Sequence, residues 1–253
     1  MRRCKIGLCF PAFFAKIPLL GVSGIDTLQR ILDGFDFSYL LSILLGLIPS
    51  LLCITLHELS HGYVAYRLGD PTAKLAGRLT LNPLKHLDPI GLLMMLVFHV
   101  GWAKPVPVNM NRFRNPKRGM ALTALAGPAS NLILAAVFLF LYGLCFLPLS
   151  KSAAGRYFLK IIDLTAVISI GLGIFNLLPI PPLDGSKILF SFLSDGSYRL
   201  LMRYERYVSL LLFALVWAGV LGKPLSAAIN GVYGVLYPMA QGGFSLGRIL
   251  FNR

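Results

Sequence analysis

Two histidines and a glutamate stand among leucine, isoleucine and valine in the stretch LLCITLHELSHGYVAYRLGD, residues 51–70. On a helix, positions i and i+4 share a face, so His57 and His61 can present two imidazoles to one cation with Glu58 beside them. That is the HExxH arrangement of zinc hydrolases. Two histidines do not complete such a site, because zinc takes a tetrahedron of nitrogen, sulfur or carboxylate ligands and, when catalytic, leaves one position to water. The rival reading is a metal-free trio hydrogen-bonded inside a helix bundle. A membrane setting weighs against it: each ionisable side chain at depth costs about 3 kcal/mol on insertion scales, and a divalent cation offsets the cost of three in one turn.

The third ligand should be another carboxylate or histidine stranded among apolar residues. Asp184 in NLLPIPPLDG meets that description. Pro179, Pro181 and Pro182 break a helix before it and Gly185 lets the backbone turn, which frees the carboxylate to face a bundle interior. Without the HExxH, Asp184-Gly185 would read only as a turn at a membrane boundary.

These residues need a scaffold, and composition indicates its kind. The chain has 253 residues, 56% hydrophobic and 13% charged, against about a quarter charged in soluble domains. The expectation is an α-helical polytopic integral membrane protein with about four to six membrane segments. Spans are expected over about Phe37–Arg67, Met120–Phe146, Leu159–Leu178 and Tyr207–Leu221, and Leu225–Met239 lies in the membrane or on it. Leu79 and Leu81 alternate with Arg78, Thr80 and Asn82, which predicts a short β-strand or hairpin after the first catalytic helix. Residues 90–101 are apolar but too short for an ordinary crossing and predict a re-entrant segment. The prolines of GWAKPVPVN predict an extended path. The segment 1–37 has a basic start and apolar middle, interrupted by Lys16, Pro11 and Pro18, and reads as an extra membrane or interfacial segment. Residues 38–195 form the expected catalytic core, and 196–253 a C-terminal helix and tail.

The net charge is +14, yet the basic residues sit in loops between apolar runs, which marks topology and lipid headgroups rather than a nucleic-acid partner. Lys and Arg crowd the loops between the first and second spans and between the third and fourth, whereas the second-to-third loop holds only Lys151 and Arg156. By the positive-inside rule the His61 end of the first span is cytoplasmic, and the count of crossings agrees only if residues 90–101 do not cross. Cys4, Cys9, Cys53 and Cys145 form no CxxC and indicate neither a disulfide framework nor a thiolate zinc knuckle. Cys53, one turn before His57, reads as a small apolar helix residue. His86 and Asp88 read as loop structure, and His99 as an interfacial polar tip.

HELSH near the end of one span, GPASN in a second and NLLPIPPLDG in a third, in that order, resemble the site-2 protease family of intramembrane zinc metalloproteases. LNPLKHLDPIG and GWAKPVPVN resemble its compact branch, without PDZ-like or CBS-like inserts, so the likeness covers roughly residues 38–195. It implies His57, His61 and Asp184 as zinc ligands and Glu58 as general base. It also implies a position for Asn131 near the centre, either donating to an oxyanion or substrate backbone or making an interhelical hydrogen bond. Asn176 reads as an amide satisfying carbonyls freed by Pro179. The implied reaction is hydrolysis of a peptide bond in or near a transmembrane segment of another membrane protein, as in regulated intramembrane proteolysis, at the cytoplasmic side of a bacterial plasma membrane. The alternative is a non-proteolytic protein that binds or moves a divalent cation, which has no need of Glu58. A substrate helix must unwind to be cut, and an exposed strand edge at Arg78, Leu79, Thr80, Leu81 and Asn82, or at Trp102–Asn109, would hold it by strand addition. No oligomeric state follows from the sequence.

Overall fold

A computed structural model describes residues 37–91 and 103–251, with side chains from residue 45 onward except 195–202 and 217. The re-entrant expectation for 90–101, His99, Trp102 and the segment before Phe37 fall almost wholly outside the described residues. Helices α1 (Phe37–Arg67), α2 (Thr72–Leu75), α3 (Pro116–Leu149), α4 (Ala153–Leu177), α5 (Asp184–Phe190), α6 (Asp195–Trp217) and α7 (Gly222–Phe251) follow in order. Of these, α3 and α4 are long and apolar enough to cross a membrane.

Local chemistry sets the helix ends. Asn115 caps α3 by accepting from the Arg118 N–H at 3.2 Å, and Pro116 follows at a position where its missing N–H costs nothing. Ser152 caps α4, accepting from Gly155 N–H at 3.0 Å, so a short link folds α4 back along α3. The core lies where α3, α4 and α7 meet, around Leu139, Val167, Ile170 and Ile229. There Tyr233 of α7 donates to Asp163 of α4 at 2.9 Å. α7 is therefore packed into the same bundle as α3 and α4.

The seam between α3 and α7 is made of glycine. A Cβ on Gly243 would overlap the Phe140 carbonyl oxygen and come 2.9 Å from Leu144 N, and one on Gly247 would lie 2.6 Å from Leu144 O. Gly243 and Gly247 are a G-x-x-x-G pair, the spacing that lets two helix backbones touch.

The expected strand at Arg78–Asn82 does not form, and the described residues contain one isolated bridge, Leu87 with Ala103, in place of a hairpin. Burial runs opposite to a half-buried strand, for Arg78 is buried and Leu81 is 66% exposed. Side chains take the carbonyls a strand partner would need: Arg78 donates to Lys104 O at 2.6 Å and Pro105 O at 3.3 Å, and the His86 ring donates to Thr80 O at 2.9 Å. Pro105 and Pro107 withhold donors from the facing stretch. Asn82 instead caps a 3₁₀ turn at Pro83–Lys85.

The extended stretch 103–109 is tied to the end of α1. Asp70 accepts from Asn109 N–H at 2.6 Å and from the Thr72 N–H and hydroxyl. Burial opposes the Asp70 charge, but the Asn109 and Thr72 donors and the nearby Arg112 prevail and hold its carboxyl below the ordinary range. A depressed folded-state pKa gives stability that is present above the unfolded value of about 4 and is lost as the pH falls through the lowered one.

Two outcomes are expected. Asp70→Asn should lower the unfolding temperature in detergent at pH 7, and the gap to the parent should close as the pH falls through the acid range. Gly243→Ala should destabilise by about 1–3 kcal/mol through overpacking against backbone, whereas Gly242→Ala, with nothing within 4 Å of its Cβ, should not lower the melting temperature and gains helix propensity.

Candidate metal centre

The helical register of α1 puts His57 and His61 on one face, 4% and 8% exposed, with ring centroids 4.5 Å apart and planes near perpendicular. Asp184, the first residue of α5, meets them. A Cβ on Gly185 would lie 2.5 Å from both the Leu177 carbonyl carbon and the Leu178 carbonyl oxygen, so only glycine lets the chain fold this tightly against the end of α4.

Three donor atoms converge. His57 Nε2 is 3.1 Å from Asp184 Oδ2, His61 Nε2 is 3.0 Å from the same oxygen, and the two Nε2 atoms are 3.0 Å apart. Protons alone cannot satisfy this triangle around an ionised carboxylate: one ring proton leaves the opposite edge as lone pair against lone pair, and two set N–H against N–H. A cation that draws all three lone pairs removes the conflict. Tetrahedral zinc with bonds of about 2.0–2.1 Å holds its ligands about 3.3 Å apart, close to the spacing here. His57, His61 and Asp184 are also the group of buried ligating side chains in the described residues able to hold a metal.

Neighbouring groups orient the three side chains. His61 Nδ1 donates to the Thr123 carbonyl of α3 at 2.7 Å, which leaves Nε2 of the neutral ring without a proton. Lys187 donates to Asp184 Oδ1 at 3.1 Å, so Oδ2 is the oxygen left for a metal. Asn131, fully buried, places its amide 3.2 Å from His57 Nδ1, on the opposite side of the ring from the triangle. Gly127 clears the space: a Cβ there would overlap His61 Nε2 and lie 2.6 Å from His57 Cε1.

Glu58 lies beside a cavity of about 330 Å³ that His57 also lines, bounded by α1, the end of α4, Pro182 and Leu183, and Leu212 and Phe213 of α6. One carboxylate oxygen, Oε2, accepts from Val106 N–H at 2.9 Å. Asn176 lines the same cavity, and its Nδ2 donates to Leu172 O within α4 at 2.9 Å. Arg78–Asn82 stand apart from the triangle, as the loop clamps described above. Cys53 is buried and points its thiol to Thr165 O at 3.7 Å, away from the metal group.

Gly127, Thr123 O, Val106 N–H and the α6 wall were not singled out from the sequence. Only Gly127 carried a signal, as a small residue in GPASN; a backbone donor or acceptor leaves no trace in residue type.

The family model described as peptidase family M50 matches residues 148–219. Several relatives carry the provisional name zinc metalloprotease. YwhC of Bacillus subtilis is 40% identical over 219 residues, covering 84% of this chain and 93% of its own. Rip2 of Mycobacterium tuberculosis is 34% identical over 193 residues, covering 74% and 69%. A relative from Methanocaldococcus jannaschii is 33% identical over 168 residues, covering 64% and 80%. No solved structure matches. With YwhC matched along nearly its whole length, the chain belongs to the site-2 protease family, peptidase family M50.

Proposed function

We propose that the chain is an intramembrane zinc endopeptidase that hydrolyses a peptide bond in or near a transmembrane segment of another membrane protein, in regulated intramembrane proteolysis. The observation that carries this reading is the buried Nε2, Nε2, Oδ2 triangle beside a cavity lined by Glu58. His57, His61 and Asp184 would hold the zinc. Bound there, zinc supplies a Lewis acid that polarises a peptide carbonyl and acidifies water.

The remaining steps belong to this chain's own residues. Glu58, held at Oε2 by Val106 N–H, takes the proton of the attacking water on its other oxygen and passes it to the leaving amine. Leu51, Ile54, Phe175 and Phe213 exclude bulk water from the cavity. Residues 78–82 contact the substrate through side chains such as the exposed Leu81 rather than through a strand ladder. The protein sits multi-pass in a lipid bilayer, of the bacterial plasma membrane type, with the His61 end of α1 at the cytoplasmic face, and it has no nucleic-acid partner. A cation carrier would require no base beside the ligands, so Glu58 favours hydrolysis.

Parent and Glu58→Gln protein in proteoliposomes should each hold about one zinc, and only the parent should cut transmembrane peptides that contain a helix breaker, with a chelator stopping it. Loss of the base is expected to slow cleavage by about 10²–10⁴-fold. Zinc bound with no cleavage by the parent would favour cation handling; a folded parent without metal would sink the site. Val106→Pro removes the donor to Glu58 and should retain zinc while cutting at roughly a tenth of the parent rate or less, as loss of a hydrogen bond to a charged group predicts.

A further inference from the structure

Asn131 presents an unbalanced account. Its side chain is fully buried, its Nδ2 lies 3.2 Å from His57 Nδ1, and its Oδ1 is buried with no partner. A carboxamide left with an orphan acceptor in an apolar bundle carries an uncompensated desolvation cost. The backbone around it is fixed: Ser169 of α4 donates to the Asn131 carbonyl at 2.7 Å, and a Cβ on Gly173 would sit 3.5 Å from the Asn131 Cβ. What remains free is rotation about the Cβ–Cγ bond. The two ends of a carboxamide fill nearly the same space, so a half-turn exchanges oxygen and nitrogen without moving either helix.

The two orientations are not chemically equivalent for His57. With Nδ2 inward, His57 Nδ1 accepts, and the proton of the neutral ring sits on Nε2, pointing into the triangle at Asp184 Oδ2, 3.1 Å away. That tautomer closes the ring nitrogen to a metal. With Oδ1 inward, the ring proton sits on Nδ1 and is donated to Asn131, and Nε2 offers its lone pair to the triangle. The orphan oxygen gains its donor in the same movement. His61 already has this arrangement, with the Thr123 carbonyl as its fixed acceptor, so the two histidines would be matched.

We propose that Asn131 is a positioning residue which accepts the His57 Nδ1 proton through Oδ1 and so fixes His57 in the tautomer whose Nε2 binds the metal. This rests on the zinc-site reading above and assigns Asn131 the acceptor role, not donation to an oxyanion. The partner of a ligating histidine orients the ring and raises its basicity, and its loss typically weakens metal binding by about 10–100-fold.

The acceptor and donor roles separate on substitution. Asp can accept and, ionised, cannot donate; Leu can do neither. In full-length protein in detergent, zinc affinity is measured by competition with a chelator of known strength, and Co²⁺ absorption reports the ligand field, with cleavage assayed in parallel. Asn131→Leu should lose about 10–100-fold in zinc affinity, and Asn131→Asp should match or exceed the parent with an unchanged Co²⁺ band pattern. Leu binding zinc as tightly as the parent, or Asp weakening it as Leu does, overturns the proposal. If the Leu variant does not fold, Asp alone decides, since a donor role would make it the worse substitution. A parent that binds no zinc shows a different failure, that of the metal site itself, before any substitution is compared.

Discussion

Three lone-pair donors held 3.0–3.1 Å apart in an apolar interior are the constraint to which the rest of this structure answers. Like-signed electron pairs at that distance repel, and burial removes the water that would screen them. Each ligand therefore needs a partner on its outer side, and each has one: Thr123 O for His61, Asn131 for His57, Lys187 for Asp184. The first two lie on α3, two turns apart, with Gly127 between them where the helix backbone must come within contact of both rings. Pro128 withholds its N–H from the Ala124 carbonyl in that same turn. GPASN thus has its small and helix-breaking residues where α3 backs His57 and His61, while the three converging donor atoms come from α1 and α5.

Glu58 belongs to a second arrangement. The stretch 103–109 has little secondary structure of its own, yet it is held by side chains at both ends and in the middle: Arg78 on Lys104 O and Pro105 O, Glu58 on Val106 N–H, Asp70 on Asn109 N–H. Gly62, one turn beyond Glu58 on α1, lets Leu79 and Val106 close over the helix, since a Cβ there would be 2.7 Å and 3.1 Å from them. Backbone bonds to a carboxylate are charge-assisted and short. Glu58 is positioned by a loop that is itself positioned by charged side chains, without any ladder.

What could be read in the sequence divides along the same line. His57, Glu58, His61 and Asp184 are legible because ionisable groups among apolar residues are expensive and so seldom accidental. The bounds of α1 are legible because LGD-P stops the helix. The loop 72–115 is not, since the alternation of Leu79 and Leu81 says strand while buried Arg78 and His86 decide the path through side-chain bonds to backbone carbonyls. The start of α6 is hidden because Arg203, Glu205 and Arg206 depress hydropathy without stopping a helix. In α7 the glycines weaken helix propensity, and the sequence shows neither that α7 runs on to Phe251 nor that the glycines face α3. For Asn131 the amide is visible and its role is not, because donor and acceptor are chosen by which ring nitrogen stands opposite.

That α3 carries both the ligand-backing turn and the α7 seam has a mechanical consequence. Asn131 and Gly143 are twelve residues apart, about 18 Å along a helix axis, and α3 is continuous between them. Packing at the seam holds α3 in place as a rigid element, and α4 is tied to the same assembly by Asp163 and Tyr233 and by Ser169 on the Asn131 carbonyl. His57, His61 and Asp184 are thus braced from behind by helices that contribute nothing to the triangle. On the opposite side, Leu212 and Phe213 of α6 bound the cavity with no glycine seam to match that of α7. Order is concentrated on the side that keeps three donor atoms within a fraction of an ångström, and the α6 side of the cavity is closed mainly by the apolar Leu212, Phe213 and Val216, with Ser209 beside them.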